Sequence, residues 1–129
     1  MFLRIDAHNG LAVYDQIVRQ IKFSVADGAL ASGDLVPSVR ELARELAINP
    51  NTVARAYRQL QDDQVVEAVR GTGLIVASGA RKACQGARKR LIRARLHDVL
   101  QEAHRGGLDT EQIKSLIQSE LDLLQHKKR

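Results

Sequence analysis

Pro50 stands between Asn49 and Asn51, four residues after the last member of the apolar set Val39, Leu42, Ala43 and Leu46. A proline inside a helix removes a hydrogen bond and clashes with the preceding turn. At the first helical position, N1, its missing N–H costs nothing. The segment must therefore end one helix and begin another. Asn49 offers a side-chain oxygen as N-cap. Ile48 and Val53 fall at N′ and N4, the spacing of a hydrophobic staple that fixes how the chain enters the new helix.

The preceding helix is as well marked. Ser38-Val39-Arg40-Glu41 fits a capping box, in which Ser38 and Glu41 satisfy each other's backbone amides. Val39, Leu42, Ala43 and Leu46 then recur at i, i+3, i+4 and i+7, so one stripe is buried over about two turns, ending near Leu46 or Ala47. In the helix after Pro50, Val53, Ala56, Tyr57 and Leu60 form the inner face. At about 100° per residue, Asn51, Arg55 and Arg58 lie within about 60° of one another on the opposite side. Two short helices joined by a three-residue turn, the second with exposed amides and guanidiniums near its start, describe a helix-turn-helix.

The flanks complete a small domain. Phe2-Leu3-Arg4-Ile5 reads as a short strand. Val13, Tyr14, Ile17, Ile21 and Val25 place a first helix over 11–27, with Gly28 as its stop. Residues 31–34 read as loop, and Pro37 as the next boundary. After the third helix, the runs Val65–Val69 and Leu74–Val76 enclose Arg70-Gly71-Thr72-Gly73, a β-hairpin. A hairpin directly behind a recognition helix is a wing, and Arg70 is its only cation.

Gly79-Ala80 opens a different region. Ala87, Leu91, Ala94 or Arg95, Leu96, Val99, Leu100 and Ala103 predict one amphipathic helix, stopped by Gly106-Gly107. Asp109 or Thr110 caps a last helix with Ile113, Leu116, Ile117, Leu121 and Leu124 on one face. Two helices cannot bury both stripes alone, which predicts a homodimer through residues 80–125. The expected architecture is mainly α with a small β-hairpin: a winged helix-turn-helix domain over 1–78 and a two-helix dimerisation region over 79–129.

Charge points to the partner. The net charge is +5 with a pI near 9.8, which suits an anion. Residues 1–78 hold eight Lys/Arg against nine Asp/Glu, whereas 79–97 hold seven (Arg81, Lys82, Arg88, Lys89, Arg90, Arg93, Arg95) against none. Positive charge early in a helix opposes its macrodipole, so this block invites a phosphate or carboxylate. No apolar run reaches the roughly 18 residues of a membrane span, and the start carries no signal-peptide pattern, so the cytoplasm is the expected place. The lone Cys84 cannot form an internal disulfide and reads as core filler. His97 and His104 lie seven apart, but no Cys/His cluster has metal-ligand spacing. Without a nucleophile–base frame, phosphate loop or metal cluster, neither an enzyme nor a cofactor is expected.

Asn pairs bidentately with adenine and Arg with guanine in the major groove. Asn51 sits in the first turn, which reaches base edges, and Thr52 offers a hydroxyl or a methyl. Arg40, Arg55 and Arg58 can reach phosphates or bases, and Arg70 suits a narrow minor groove. The expected function is sequence-specific binding of a double-stranded DNA operator, as a repressor on a palindromic site. The alternative is an interaction adaptor that uses the winged helix only as a scaffold.

The run Tyr14-x-Gln16-Ile17, Gly28-x-Leu30, Gly33-Asp34, Pro37-Ser38-Val39-Arg40-Glu41-Leu42-Ala43, Asn49-Pro50-Asn51-Thr52-Val53, Ala56-Tyr57, Leu60 and Gly71-Thr72-Gly73 resembles the GntR family of bacterial transcription regulators. Asn-Pro-Asn-Thr-Val with Arg-Ala-Tyr, and the short tail, resemble its YtrA-type subfamily. The resemblance covers roughly residues 11–77 and implies a winged helix-turn-helix that binds an operator as a homodimer. It places the family's DNA contacts on Arg40, Asn49, Asn51, Thr52, Arg70 and Gly71. Three departures stand out. Relatives often carry a DNA-contacting Arg where this chain has Ala54. Leu35-Val36 replace the usual Arg-Leu ahead of Pro37. Gln64 replaces a glycine after the third helix, and because a left-handed Gln costs on the order of 1 kcal/mol, that corner is expected to turn differently. The 51 residues from Gly79 onward are too few for the effector domains of larger relatives, and two helices alone do not enclose a pocket of about 300 Å³. The residues name no small-molecule effector.

Overall fold

A computed structural model describes residues 3–127. The elements run α1 (Val13–Asp27), α2 (Val39–Leu46), α3 (Pro50–Asp62), β1 (Val66–Val69), β2 (Gly73–Val76), α4 (Ala80–Arg105) and α5 (Thr110–Lys127). Two compact units result, Met1–Lys89 and Arg90–Arg129.

In the first unit α1 and α2 both pack on α3. Ile17, Ile21 and Val25 of α1, Leu42 and Ala43 of α2, and Val53, Ala56, Tyr57 and Leu60 of α3 are all buried in one cluster. Both predicted caps form. Ser38 Oγ accepts from the Glu41 amide at 3.1 Å while the Ser38 amide donates to Glu41 Oε1 at 3.3 Å. Asn49 Oδ1 accepts from the Asn51 amide at 2.8 Å, with Pro50 at the helix start. The turn between the helices is tightened by Ala47, left-handed at φ 54°. Ile48 packs against the core that holds Val53.

The N-terminal segment forms no strand over the described part of 2–5; Phe2 lies outside the described residues. Two glutamines of α1 replace a strand partner. Gln20 accepts from the Arg4 amide and donates to the Arg4 carbonyl. Gln16, only 2% exposed, does the same for Asp6 and also donates to the Leu11 carbonyl at 3.0 Å. One turn apart on α1, these amides satisfy a backbone that no strand pairs. Leu3 is thereby held in the core.

β1 and β2 pair antiparallel, Val66 opposite Val76 and Val69 opposite Gly73. Gly73 therefore belongs to β2 rather than to the turn, and Val65 stays outside β1. The chain just after the expected loop 31–34 pairs with the other edge of β2. Leu35 bridges Ile75, with the Val36 amide on the Leu74 carbonyl and the Val76 amide on the Asp34 carbonyl, both at 2.9 Å. The corner into the hairpin also differs from expectation: Gln64 is left-handed, at φ 60°. It takes the conformation a glycine would take, so the strain is borne rather than avoided. Beside it, Lys22 reaches Asp63 at 2.7 Å. Burial alone would raise the Asp63 carboxyl, but hydrogen bonds from Lys22 and Gln59 and the Lys22 charge outweigh it and hold it below its ordinary value.

The boundary between units falls within α4, past the residue 78/79 division read from the sequence, because Ala80 and Cys84 complete the first core. Burial pushes the Cys84 thiol up, with the Lys22 charge opposing and Asp63 adding. α4 carries two apolar ridges rather than one. Ala80, Cys84, Ala87 and Leu91 share a side, whereas Ile92, Leu96, Val99 and Ala103 line another, about 120° round the helix. In the second unit Asp109 and Gln112 form a reciprocal cap on α5 at 2.9 Å each way. No residue from 90 to 127 is buried.

Candidate nucleic-acid interface

The capped start of α3 displays its polar residues on a rigid base. Val53, Ala56, Tyr57 and Leu60 face inward, which turns Asn51 and Arg58 to solvent. Asn49 is exposed as well, but its Oδ1 serves the cap, which leaves only its amide N–H groups for an acceptor such as phosphate. Thr52 is half-buried and its backbone amide donates to the Asn49 carbonyl at 3.0 Å. Arg40 is exposed in the first turn of α2. Among the described residues no side chain hydrogen-bonds or pairs with the side chains of Arg40, Asn51, Arg58 or Arg70.

Arg55 behaves differently. Its guanidinium lies over the Tyr14 ring, 3.7 Å from the centroid, while the residue stays exposed. Nothing local in the sequence announces this contact, since the partners lie on separate helices 41 residues apart.

The wing tip and the start of α2 face a common groove. A cleft of about 630 Å³ is lined by Leu35, Val36, Pro37, Ser38, Val39, Glu41, Tyr57 and the hairpin from Ala68 to Leu74. Arg70, Gly71 and Thr72 form the exposed tip, with Gly71 at φ 79° and the Thr72 amide on the Val69 carbonyl at 2.9 Å. Leu35, where relatives are expected to have Arg, is 58% exposed and packs beside Gly73. Tyr57 closes the floor by donating its hydroxyl to the Pro37 carbonyl at 2.8 Å.

The basic block is not uniform. The Arg81 guanidinium lies against Gly28 at the C-terminus of α1, where its charge complements that helix's dipole. Gln85 donates to the Ala26 carbonyl at 3.1 Å at the same end. Lys82 and Lys89 are exposed and Arg88 is half-buried. On α4, His97 and His104 share an open hollow of about 330 Å³ with Leu100, Gln101 and Arg105. It is a surface depression on one helix; among the described residues no three of His, Cys, Asp and Glu converge there or elsewhere as metal ligands would.

Apolar side chains of the second unit are bare. Leu96 (50%), Val99 (58%), Leu116 (54%), Leu121 (48%) and Leu124 (57%) are all exposed, and Ile117 is at 38%. Leu100 and Ile113 are half-buried.

Known proteins match this arrangement. The family of bacterial regulatory proteins called gntR matches residues 13–76. The HTH-type transcriptional repressor YtrA of Bacillus subtilis is 32% identical over 115 residues, covering 89% of this chain and 88% of that protein. The HTH-type transcriptional regulator Rv1152 of Mycobacterium tuberculosis is 44% identical over 66 residues, 51% of this chain and 54% of its own. Among solved structures, a GntR family transcriptional regulator from Listeria monocytogenes superposes with a TM-score of 0.68 at 30% identity, over 89% of this chain and 98% of that one. YtrA of Sulfolobus acidocaldarius gives 0.57 at 28% identity, over 95% and 99%. With its capped helix-turn-helix, its wing and a 32% identical relative matched over 89% of its length, the chain belongs to the GntR family of DNA-binding transcription regulators.

Proposed function

We propose that this regulator is a repressor that acts as a homodimer on a palindromic operator, with α3 in the major groove and the wing tip in the adjacent minor groove. The observation that carries this is the outward face of α3. Asn51 and Arg58 stand exposed on a buried, capped helix, with Arg40 and Arg70 exposed on the neighbouring elements. An amide fixed in the first turn is what direct readout needs, and the arginines supply phosphate and minor-groove contacts.

The dimer rests on the second unit, where α5 and the part of α4 from residue 90 leave Leu96, Leu116, Leu121, Leu123 and Leu124 in solvent. Exposed apolar surface on this scale marks an interaction site. A second copy covers it with matching ridges and produces the twofold symmetry that a palindrome mirrors. The B. subtilis relative's description as a repressor supports the same sign of regulation. A DNA operator as partner puts the regulator's work in the cytoplasm; no helix among the described residues is long and apolar enough to cross a membrane.

Selection of bound duplexes from a random pool, followed by gel-shift competition, tests the reading. A selected palindrome should compete and random duplex should not. Asn51→Ala should cost about 1–3 kcal/mol at one base position per half-site and little elsewhere. Uniform loss across the site would remove α3 from the role of reader.

A further inference from the structure

Arg55 lies on the outward side of α3, one helical turn beyond Asn51, and its guanidinium is stacked on a ring from another helix, 3.7 Å from the Tyr14 centroid. We infer that Tyr14 is a positioning residue for DNA readout: it holds Arg55 so that the edge of the guanidinium reads a guanine close to the base contacted by Asn51. The inference rests on the proposed docking of α3 in the major groove.

The geometry separates the two surfaces of the guanidinium. Stacking occupies one face of the plane and leaves the N–H groups along the rim, which point within the plane. Those donors are the ones that pair bidentately with guanine O6 and N7. A free arginine must lose rotamer freedom before it can make two parallel hydrogen bonds. Arg55, stacked on a ring anchored in α1, has already lost much of it. Tyr14 is itself half-buried at the start of α1, the helix whose Ile17, Ile21 and Val25 pack on α3. The ring is therefore a fixed surface and not a mobile side chain that follows the arginine.

Position along the helix sets where the guanine lies. Side chains at i and i+4 are about 5–6 Å apart, one or two base-pair steps at about 3.4 Å each. The guanine is therefore a near neighbour of the base read by Asn51. A phosphate contact would weaken binding to all sequences alike when Arg55 is removed, whereas a guanine contact shows as preference at one base pair. Ala54 leaves the preceding position without a polar group, so Arg55 is the guanidinium that follows Asn51 most closely on this helix.

The test is a base-by-base binding profile of the full chain on its selected operator and on every single-base variant of it. Wild type, Arg55→Ala, Tyr14→Leu, Tyr14→Phe and the double variant Tyr14→Leu/Arg55→Ala are compared. Arg55→Ala should lose about 5- to 150-fold discrimination at one G·C pair per half-site. Tyr14→Leu should lose about two- to fivefold at the same pair, the scale of an exposed cation–π contact. The double variant should lose no more than Arg55→Ala, and Tyr14→Phe, which keeps the ring, should retain the wild-type profile. Thermal unfolding of each variant shows that it is folded; the shape of the base profile does not follow from stability alone. Three results overturn the inference: Tyr14→Leu weakens all base variants equally, its effect adds to that of Arg55→Ala, or Arg55→Ala loses affinity without base preference. A wild-type chain that selects no sequence overturns the docking itself, and is told apart because Asn51→Ala then also has no base-specific effect.

Discussion

Tyr57 and Pro37, 20 residues apart, are joined by a 2.8 Å hydrogen bond from phenol to carbonyl. The bond ties the middle of α3 to the residue ahead of the Ser38 cap, so the start of α2 is fixed relative to α3. The angle between these two helices therefore depends on one hydroxyl as well as on the buried Leu42 and Val53.

Removing that hydroxyl leaves a carbonyl without its donor in a partly buried place. Tyr57→Phe should destabilise the folded chain by about 1–2 kcal/mol. A urea titration should show a lower midpoint with an unchanged slope. An unchanged midpoint would mean that water replaces the phenol at Pro37.

The same phenol makes a pH prediction. Burial, followed by the charges of Glu41 and Glu45, raises the Tyr57 phenol well above its ordinary value, which is about 10. The folded state thus favours the neutral form. Its contribution is complete below the ordinary value and is lost as pH rises from there through the folded value. Unfolding followed from pH 8 to 11 should show wild type losing more stability than Tyr57→Phe above pH 10. Parallel curves would place the alkaline loss on other groups.

Gln64 takes φ 60° and Ala47 takes φ 54°, both in the region that costs an L residue about 1–2 kcal/mol. Gln64 is exposed, so its side chain gives up little when removed. Gly at this position removes the strain and returns part of the gain through the freer unfolded chain. Gln64→Gly should stabilise by about 0.5–1 kcal/mol, read as a raised thermal midpoint. A lowered midpoint would mean that the Gln64 side chain holds the corner.

The helix-turn-helix was legible because its signals are local: a capping box, a proline at N1, and apolar residues at helical spacing all lie within a few residues of their effects. The N-terminal segment was not. Leu3 and Ile5 look like strand residues, but the groups that satisfy this backbone are Gln16 and Gln20, which read as polar surface of α1. The Leu35–Ile75 bridge and the Arg55–Tyr14 stack fail to show for the same reason, since each joins segments about 40 residues apart. α4 departs from its sequence pattern for a different cause. The apolar residues from Ala87 to Ala103 read as one stripe, whereas the first ridge starts at Ala80 and Cys84 in the core and the second begins at Ile92.

The exposed leucines of α5 carry the assembly prediction. Leu121 and Leu116 are half exposed on α5, which buries nothing in the single chain. Leu121→Asp or Leu116→Asp places a charge where a second copy should pack, so each should yield monomers that bind the operator more weakly. Sedimentation velocity at micromolar concentration decides it. A wild-type monomer, or a charged variant that still sediments as a dimer, would count against these leucines as the contact.

Arg70 gives the last prediction. The hairpin follows α3 after only Asp63, Gln64 and Val65, so when α3 enters the major groove the tip must approach the flanking backbone. Gly71 has no side chain there and Arg70 is exposed, the single cation of residues 65–76. A lone guanidinium is drawn to the narrow, electronegative minor groove of A·T-rich DNA by potential rather than by a base code. Arg70→Ala should therefore weaken binding most for operators whose wing-side flanks are A·T-rich, and leave the preference at the base read by Asn51 unchanged. Paired gel-shift titrations on operators that differ only in those flanks measure the effect. Equal loss on A·T-rich and G·C-rich flanks would make Arg70 a plain phosphate contact, and no loss on either would leave it a solvated residue of the turn.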